Sequence, residues 1–313
     1  MVFYIIKRML SAVVTILGIT VVVFAIGRFA PGDPAVPAAG PAGQLNADNT
    51  QGSHRVRIEL YGLDRPMYLQ YAHWLGRVVL LDFGDSIKHH RPVIDLIAER
   101  LPITLILNLV AFAIIYSFSV PVGILTAVKH GRCFDRLTSI VLLGMWSLPI
   151  MWVGQMLVGY LTGPAAAGLD GSIPWSAYSG AVLCLTYTGF AYLTRQVRAS
   201  VLENLHADYV RTARAKGLSE TAVLLGQVLP NSLMPLATIS ATLLPALISG
   251  SVIVEKIFGI PGMGLLMFEA VTNRDYNVVM AVVTIAGALN SVGLLLADIV
   301  YVALDPRVDF DNA

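Results

Sequence analysis

The sequence predicts an all-α, polytopic membrane protein of six transmembrane helices, and three observations predict it. Of its 313 residues, 56% are hydrophobic and only 13% are charged, with a mean hydropathy of +0.71, too apolar for an ordinary soluble domain. Residues 9–27, 101–128, 137–169, 171–194, 221–254 and 276–297 contain no Asp, Glu, Lys or Arg, and a hydrocarbon core needs about 20 apolar residues per helix. Finally, the basic residues gather in alternate connections between these gaps, as expected when every second connection stays on the cytoplasmic side.

Helices are expected near 9–29, 101–128, 137–161, 176–194, 234–254 and 278–303. Lys7 and Arg8 before the first apolar run could mark a secretory signal. That run is long for a signal core, and Arg28 with Pro31 spoils a small-residue cleavage site after Ala30, so an uncleaved first helix over 1–30 is expected. The tail 162-TGPAAAG-168 ends the third span, and Pro230 and Pro235 delay the start of the fifth. Residues 31–100 form an external segment in which Tyr68, Tyr71 and Trp74 suit an amphipathic helix along the outer interface. A core of five spans over 101–304 and a tail over 305–313 complete the chain.

With the N-terminus inside, the cytoplasmic segments hold Lys7, Arg8, Lys129, Arg132, Arg136, Arg195, Arg198, Arg211, Arg214, Lys216 and Arg307, whereas the short external loops hold only Lys256 and Arg274. Both termini are therefore expected in the cytoplasm.

Several chemistries are disfavoured. A net charge of +1 gives no reason to expect nucleic acid. Cys133 and Cys184 lack a CxxC or His-rich setting, and His89-His90 beside Lys88 and Arg91 reads as a solvated loop, so no metal site is expected. None of Lys7, Lys88, Lys129, Lys216 and Lys256 follows a glycine, so there is no GxxxxGK[ST] phosphate loop, and HExxH and GxSxG are absent too. No catalytic residue is assigned.

The segment 209-YVRTARAKGLSE-220 interrupts the apolar pattern. Asp208 can cap a helix over 209–216, Gly217 stands where a left-handed residue ends it, and Arg214 and Lys216 suit its negative end. Ser219 offers a cap for a second helix over 220–229, ended near Pro230. The alternative is a basic helix resting on anionic lipid, but Ala213 and Ala215 flank the basic residues and no bulky apolar stripe is present to sink into acyl chains.

Asn108, Ser147, Gln155, Thr186, Thr188, Ser240, Thr242, Ser249, Ser251, Asn290 and Ser291 are polar positions in or beside the spans. They could line a passage. Taken singly, each could equally join helices by hydrogen bonds. As a set without buried charge they suit a solute that is neutral overall or zwitterionic; Asp298 is placed towards the cytoplasmic end. Glu255 and Lys256 are expected as an exposed ion pair or as snorkelling side chains, ahead of 257-IFGIPGMG-264, which is apolar, broken by Gly and Pro, and too short to span.

The run 213-ARAKG-217, nine further residues and then 227-QVLP-230 resembles the EAA loop of ABC-importer permeases, with Arg211-Thr212 standing where the general pattern has Glu-Ala and Gln227 where it has Ile. The full 209-YVRTARAKG-217 is similar to the oligopeptide/dipeptide permease family. So are 6-IKRML-10, 31-PGDPA-35, 62-GLDRPMYLQYAHWL-75, 82-DFGDS-86, 101-LPITLILNL-109, 255-EKIFGIPGMG-264 and 305-DPRVD-309, in this order along nearly the whole chain. The resemblance implies a type I ABC-importer permease fold in a prokaryotic plasma (inner) membrane. It also implies a second homologous permease subunit, an extracytoplasmic substrate-binding protein, and two ABC ATPase subunits that bind ATP and Mg, with no cofactor held by this chain. Under it, the coupling loop lies within 203–231, with Arg211, Thr212, Ala213, Arg214, Lys216, Gly217, Leu229 and Pro230 at the ATPase contact. Asn108, Ser147, Gln155, Ser240, Thr242, Ser249 and Asn290 would line the path, and Glu255, Phe258, Pro261 and Gly262 the external mouth. The family carries dipeptides, oligopeptides, glutathione, nickel chelates, haem and some oligosaccharides, so peptide is the first expectation. The rival classes are an ion-gradient-driven transporter or channel, which would want acidic or His residues in mid-membrane, and a membrane scaffold without transport.

Overall fold

A computed structural model describes residues 2–29, 66–161, 173–233, 236 and 250–304, without the side chains of 2–6 and 297–304. Its helices are α1 (Val2–Phe29), α2 (Met67–Val79), α3 (Val93–Val128), α4 (Cys133–Ser147), α5 (Ile150–Leu161), α6 (Trp175–Leu205), α7 (Asp208–Ala215), α8 (Glu220–Val223), α9 (Val252–Phe258), α10 (Met263–Thr272) and α11 (Tyr276–Leu304). Among the described residues, Lys7–Phe29, Val93–Val128 and Tyr276–Leu296 are each long and apolar enough to cross a membrane. The pair α4 and α5 makes a fourth if it is one span. The expected span at 234–254 lies outside the described residues except for Leu236 and 250–254, as do PGDPA, the tail 305–313, Ser240, Thr242 and Ser249.

The central unit is the parallel pair α3 and α6. Leu107 of α3 shares a buried cluster with Ala177, Ala181 and Cys184, and at the opposite end Ala127 shares one with Val197 and Val201. Small residues let the backbones close: a Cβ on Gly123 would stand 2.6 Å from Val197 Cβ, and one on Gly189 would strike Ile115. Ser119 Oγ donates to Phe190 O at 3.3 Å across the same seam. The outer pair α1 and α11 is antiparallel but also closes on glycines, with Gly27 against Met280 and Gly287 against Ile19.

Helix α2 carries the three aromatic residues Tyr68, Tyr71 and Trp74. Tyr71 and Trp74 pack on Phe24 of α1, with ring centroids 5.5 and 5.7 Å away, and Tyr71 Oη lies 2.9 Å from Thr20 Oγ1. Tyr68 points outward. The following 82-DFGDS-86 docks on the α10–α11 connection, where Ser86 Oγ donates to buried Asp275 Oδ2 at 2.6 Å and Asn277 Nδ2 donates to Asp85 O at 2.8 Å.

Three expected boundaries are corrected. The helix expected to start at 101 begins at Val93, because Val93, Leu96 and Ile97 bury a stripe against Met263, Leu266 and Val278. The span over 137–161 is not straight: it breaks at Leu148-Pro149 with a bend of 93° between α4 and α5, since proline has no N–H to continue the ladder and disfavours helix at the residue before it. Tyr187 Oη donates to the Leu148 carbonyl at that bend. The helix expected over 176–194 runs on to Leu205, since Val197 and Val201 continue its buried face.

Candidate functional site

Two structures of similar local design sit at opposite ends of α3: an elbow around Gly217 and a helical hairpin around Gly259. The elbow begins with α7, which ends in a Schellman motif. Leu218 N donates to Ala213 O at 3.4 Å and Gly217 N to Arg214 O at 2.9 Å, with Gly217 at φ +80°. Ser219 caps α8 as expected, its Oγ accepting from Ala222 N at 3.3 Å.

Two details differ from expectation. Asp208 is not the cap: the extended residue is Ala207, so Asp208 is the first helical residue and its side chain makes no capping bond, lying instead 3.6 Å from Arg211. Pro230 does not end the second helix, which continues to 233. A π turn over Leu224–Val228, closed by Leu229 N donating to Leu224 O, stands immediately before it. The wider turn accommodates a residue that lacks an N–H and whose ring would otherwise press on the carbonyl of Gly226.

The elbow is anchored by its apolar side. Val210, Ala213, Val223 and Val228 are buried in one cluster with Ala127 of α3 and Val197 and Val201 of α6. Ser200 Oγ donates to Ser232 O at 3.0 Å and Ser232 Oγ returns a bond to Ser200 O at 3.4 Å, both buried. Arg211, Thr212, Lys216 and Gly217 are exposed on the other side, and Leu229 and Pro230 follow as half-buried and exposed residues. Thr212 Oγ1 bonds its own helix at Asp208 O, 3.0 Å away. Arg214 bridges the elbow with a forked pair to Glu220, Nε to Oε1 at 2.9 Å and Nη2 to Oε2 at 3.1 Å, so its guanidinium clamps α7 to α8.

The hairpin overturns the reading of Glu255 as exposed. Helix α9 starts at a Ser251 cap and ends at Gly259, φ +65°, where Ile260 N donates to Glu255 O at 2.8 Å. The Glu255 side chain is fully buried. Its Oε1 accepts from Thr104 Oγ1 of α3 at 3.1 Å and its Oε2 from Leu265 N at 3.0 Å, while Thr104 Oγ1 accepts from Met263 N at 2.8 Å. Burial pushes the carboxyl above the ordinary carboxylate range against the pull of those donors. A Cβ on Gly262 would strike Glu255 Oε2 and stand 2.5 Å from Thr104 Oγ1, and one on Gly264 would be 2.7 Å from Val252 N. The glycines of 257-IFGIPGMG-264 thus make room for a carboxylate and a close backbone. Lys256 turns away, its Nζ 3.2 Å from the centroid of the Phe268 ring. Phe258 and Gly262 are buried and Pro261 half-buried.

Ser147, Gln155 and Asn290 are exposed and Asn108 is half-buried. Ser147, Thr186 and Ser291 hydroxyls donate to carbonyls four residues back on their own helices, at 2.8, 2.7 and 3.0 Å. Among the described residues, further bonds that join elements come from Thr104, Ser119, Ser200 and Ser232, whose small hydroxyls in apolar runs carry no motif in the sequence.

Comparison with known proteins now places the chain. Residues 119–310 match the family described as the inner membrane component of binding-protein-dependent transport systems, and residues 1–108 match that family's N-terminal component. The chain belongs to this family. It is 38% identical to the oligopeptide transport system permease protein AppB of Bacillus subtilis (strain 168), across 98% of this chain and 99% of that one. It is 36% identical to the glutathione transport system permease protein GsiC of Escherichia coli (strain K12), with the same two coverages. A solved structure of the MetNI methionine ABC transporter in inward-facing conformations superposes with a TM-score of 0.52 at 18% identity, covering 68% of this chain and 97% of that one. The fold is thus that of an ABC-importer permease, and the chain is a multi-pass inner-membrane subunit of such a system rather than an ion-gradient transporter.

Proposed function

We propose that this permease forms half of the translocation path of an ATP-driven importer for di- and oligopeptides. A second homologous permease supplies the other half, two ABC ATPase subunits carry ATP and Mg, and an extracytoplasmic binding protein delivers the solute. Both termini and the elbow face the cytoplasm; the hairpin faces outward, where Glu255, Phe258, Pro261 and Gly262 shape the mouth. Peptide is favoured because the similar permeases are named for oligopeptide and glutathione transport.

The observation that carries this reading is the two-sided elbow. Its apolar side is buried in α3 and α6, and its other side presents Arg211 and Lys216. Displacing it must move both long helices, since close-packed interiors transmit strain rather than absorb it. On α3, Gly123 packs at the elbow end and Thr104 holds Glu255 at the hairpin end, about 28 Å apart at 1.5 Å per residue. One rigid element therefore links the ATPase contact to the outer mouth.

The experiment is a double charge reversal, Arg211→Glu with Lys216→Glu, both at exposed positions. The ATPase subunits should no longer copurify with the permease pair, while the pair itself still assembles. Unchanged recovery of the ATPases and unchanged ATP-dependent uptake would show that they dock elsewhere.

A further inference from the structure

A cavity of about 730 Å³ lies between α4 and α6 on the elbow side of the Leu148-Pro149 bend. Its walls are two helical stripes at the same spacing: Ser139, Leu142, Leu143 and Trp146 on α4, and Tyr192, Arg195, Gln196 and Ala199 on α6. Positions i, i+3, i+4 and i+7 share one helix face, so each helix turns a single mixed face towards the space. Trp146 and Tyr192 stack with centroids 6.0 Å apart and an interplanar angle of 29°, and both remain exposed. Large rings in that state offer apolar area at low entropic cost to whatever enters. Gln196 Nε2 donates to Tyr192 Oη at 3.3 Å, orienting the ring.

The two arginines of this wall differ. Arg198 is committed: Nε and Nη2 donate to Asp135 at 2.7 and 3.0 Å, and Asp135 also accepts from Gly131 N at 3.0 Å and lies 3.1 Å from His130 Nδ1. Its charge is therefore offset. Arg195, one turn from Tyr192, is exposed and pairs with no acid among the described residues. The cavity thus combines one uncompensated guanidinium, an aromatic plate and an apolar floor at Leu142. That set matches a carboxylate attached to a planar or apolar body, since guanidinium and carboxylate meet in a two-bond fork.

We propose that this cavity is a transient subsite for the C-terminal carboxylate of the translocated peptide, held by Arg195 while the adjoining residue stacks on Trp146 and Tyr192. The assignment rests on the peptide reading above. It places a cationic stop on the cytoplasmic half of the path, below the bend.

The test uses the complete importer in liposomes with its binding protein, and two probes, a tripeptide with a free C-terminus and the same tripeptide amidated. Relative to wild type, Arg195→Gln should slow uptake of the free acid about tenfold, as loss of a charge-assisted fork implies, and slow the amide far less. Arg195→Lys should recover part of the difference, which also guards against a variant that merely assembles poorly. If both probes are slowed equally, or neither is, the subsite is wrong while the peptide reading stands on wild-type uptake. If wild type carries neither probe, the peptide reading fails and the subsite with it. If the effect of Arg195→Gln follows the anionic-lipid content of the liposomes instead of the peptide terminus, the cavity holds a lipid headgroup and the proposal is overturned.

Discussion

The elbow and the hairpin use one local device for opposite ends. Each ends a helix at a left-handed glycine, Gly217 or Gly259, with the same six-to-one bond closing the turn. At the elbow an ion pair, Arg214 to Glu220, crosses the turn in solvent. At the hairpin a lone carboxylate, Glu255, sits inside it, satisfied by a hydroxyl of another helix and a backbone N–H. Under the proposed function, the turn that a partner must reach is the one that keeps its polar groups outside. A turn that must hold its own shape uses a buried polar group, which is costly if any donor is lost.

The largest expected effect falls at Gly262, where space is the constraint. Gly262→Val drives a side chain into Glu255 and Thr104, so overpacking of about 1–3 kcal/mol adds to the loss of the buried hydrogen bonds. Heating the detergent-solubilised protein and following the monodisperse fraction should show a clear drop in stability; a wild-type profile would mean the hairpin is not packed as described. An intermediate effect is expected at the two left-handed glycines, and it should be equal. A Cβ at Gly217 or at Gly259 meets nothing within 4 Å, so Gly217→Ala and Gly259→Ala should each cost about 1–2 kcal/mol from backbone conformation alone, and Asn should cost less than Ala at both. Amide hydrogen exchange across 213–218 and 255–260 would read the local loosening, and a much larger penalty at one site would break the parallel between them. The smallest effect belongs to Arg214→Ala, since an exposed pair contributes about 0.2–1 kcal/mol. Its thermal profile should match wild type closely, whereas an effect as large as that of Gly262→Val would mean that the clamp bears on the fold.

Most of the local chemistry was legible along the chain. Gly217 followed by Ser219 announces a helix stop and a helix start, and both stand in the structure because each depends on residues no more than six apart. The misreadings at Asp208 and Pro230 were of one kind: capping assigned to Asp208 moved one residue because Ala207 takes the extended backbone, and the proline was tolerated because a π turn precedes it. Pro149 was a visible signal for the bend between α4 and α5, hidden by the absence of charge around it. Glu255 was read as exposed because a carboxylate beside a lysine ordinarily pairs with it at a surface. Nothing within the hairpin announces Thr104, which is 151 residues away.

By itself, then, the sequence determined the helical membrane-protein class, most of the apolar segments, the family, and the position of the elbow, because hydropathy and helix capping are sums over near neighbours. Only the tertiary structure decided that Glu255 is buried against Thr104, that Arg214 clamps the elbow while Arg211 and Lys216 remain outward, and that Tyr192, Arg195 and Trp146 share one cavity. Those outcomes turn on which helices close against each other. That is set by small residues such as Gly123 and Gly189 meeting bulky partners far along the chain, where close packing admits one arrangement and a local pattern admits several.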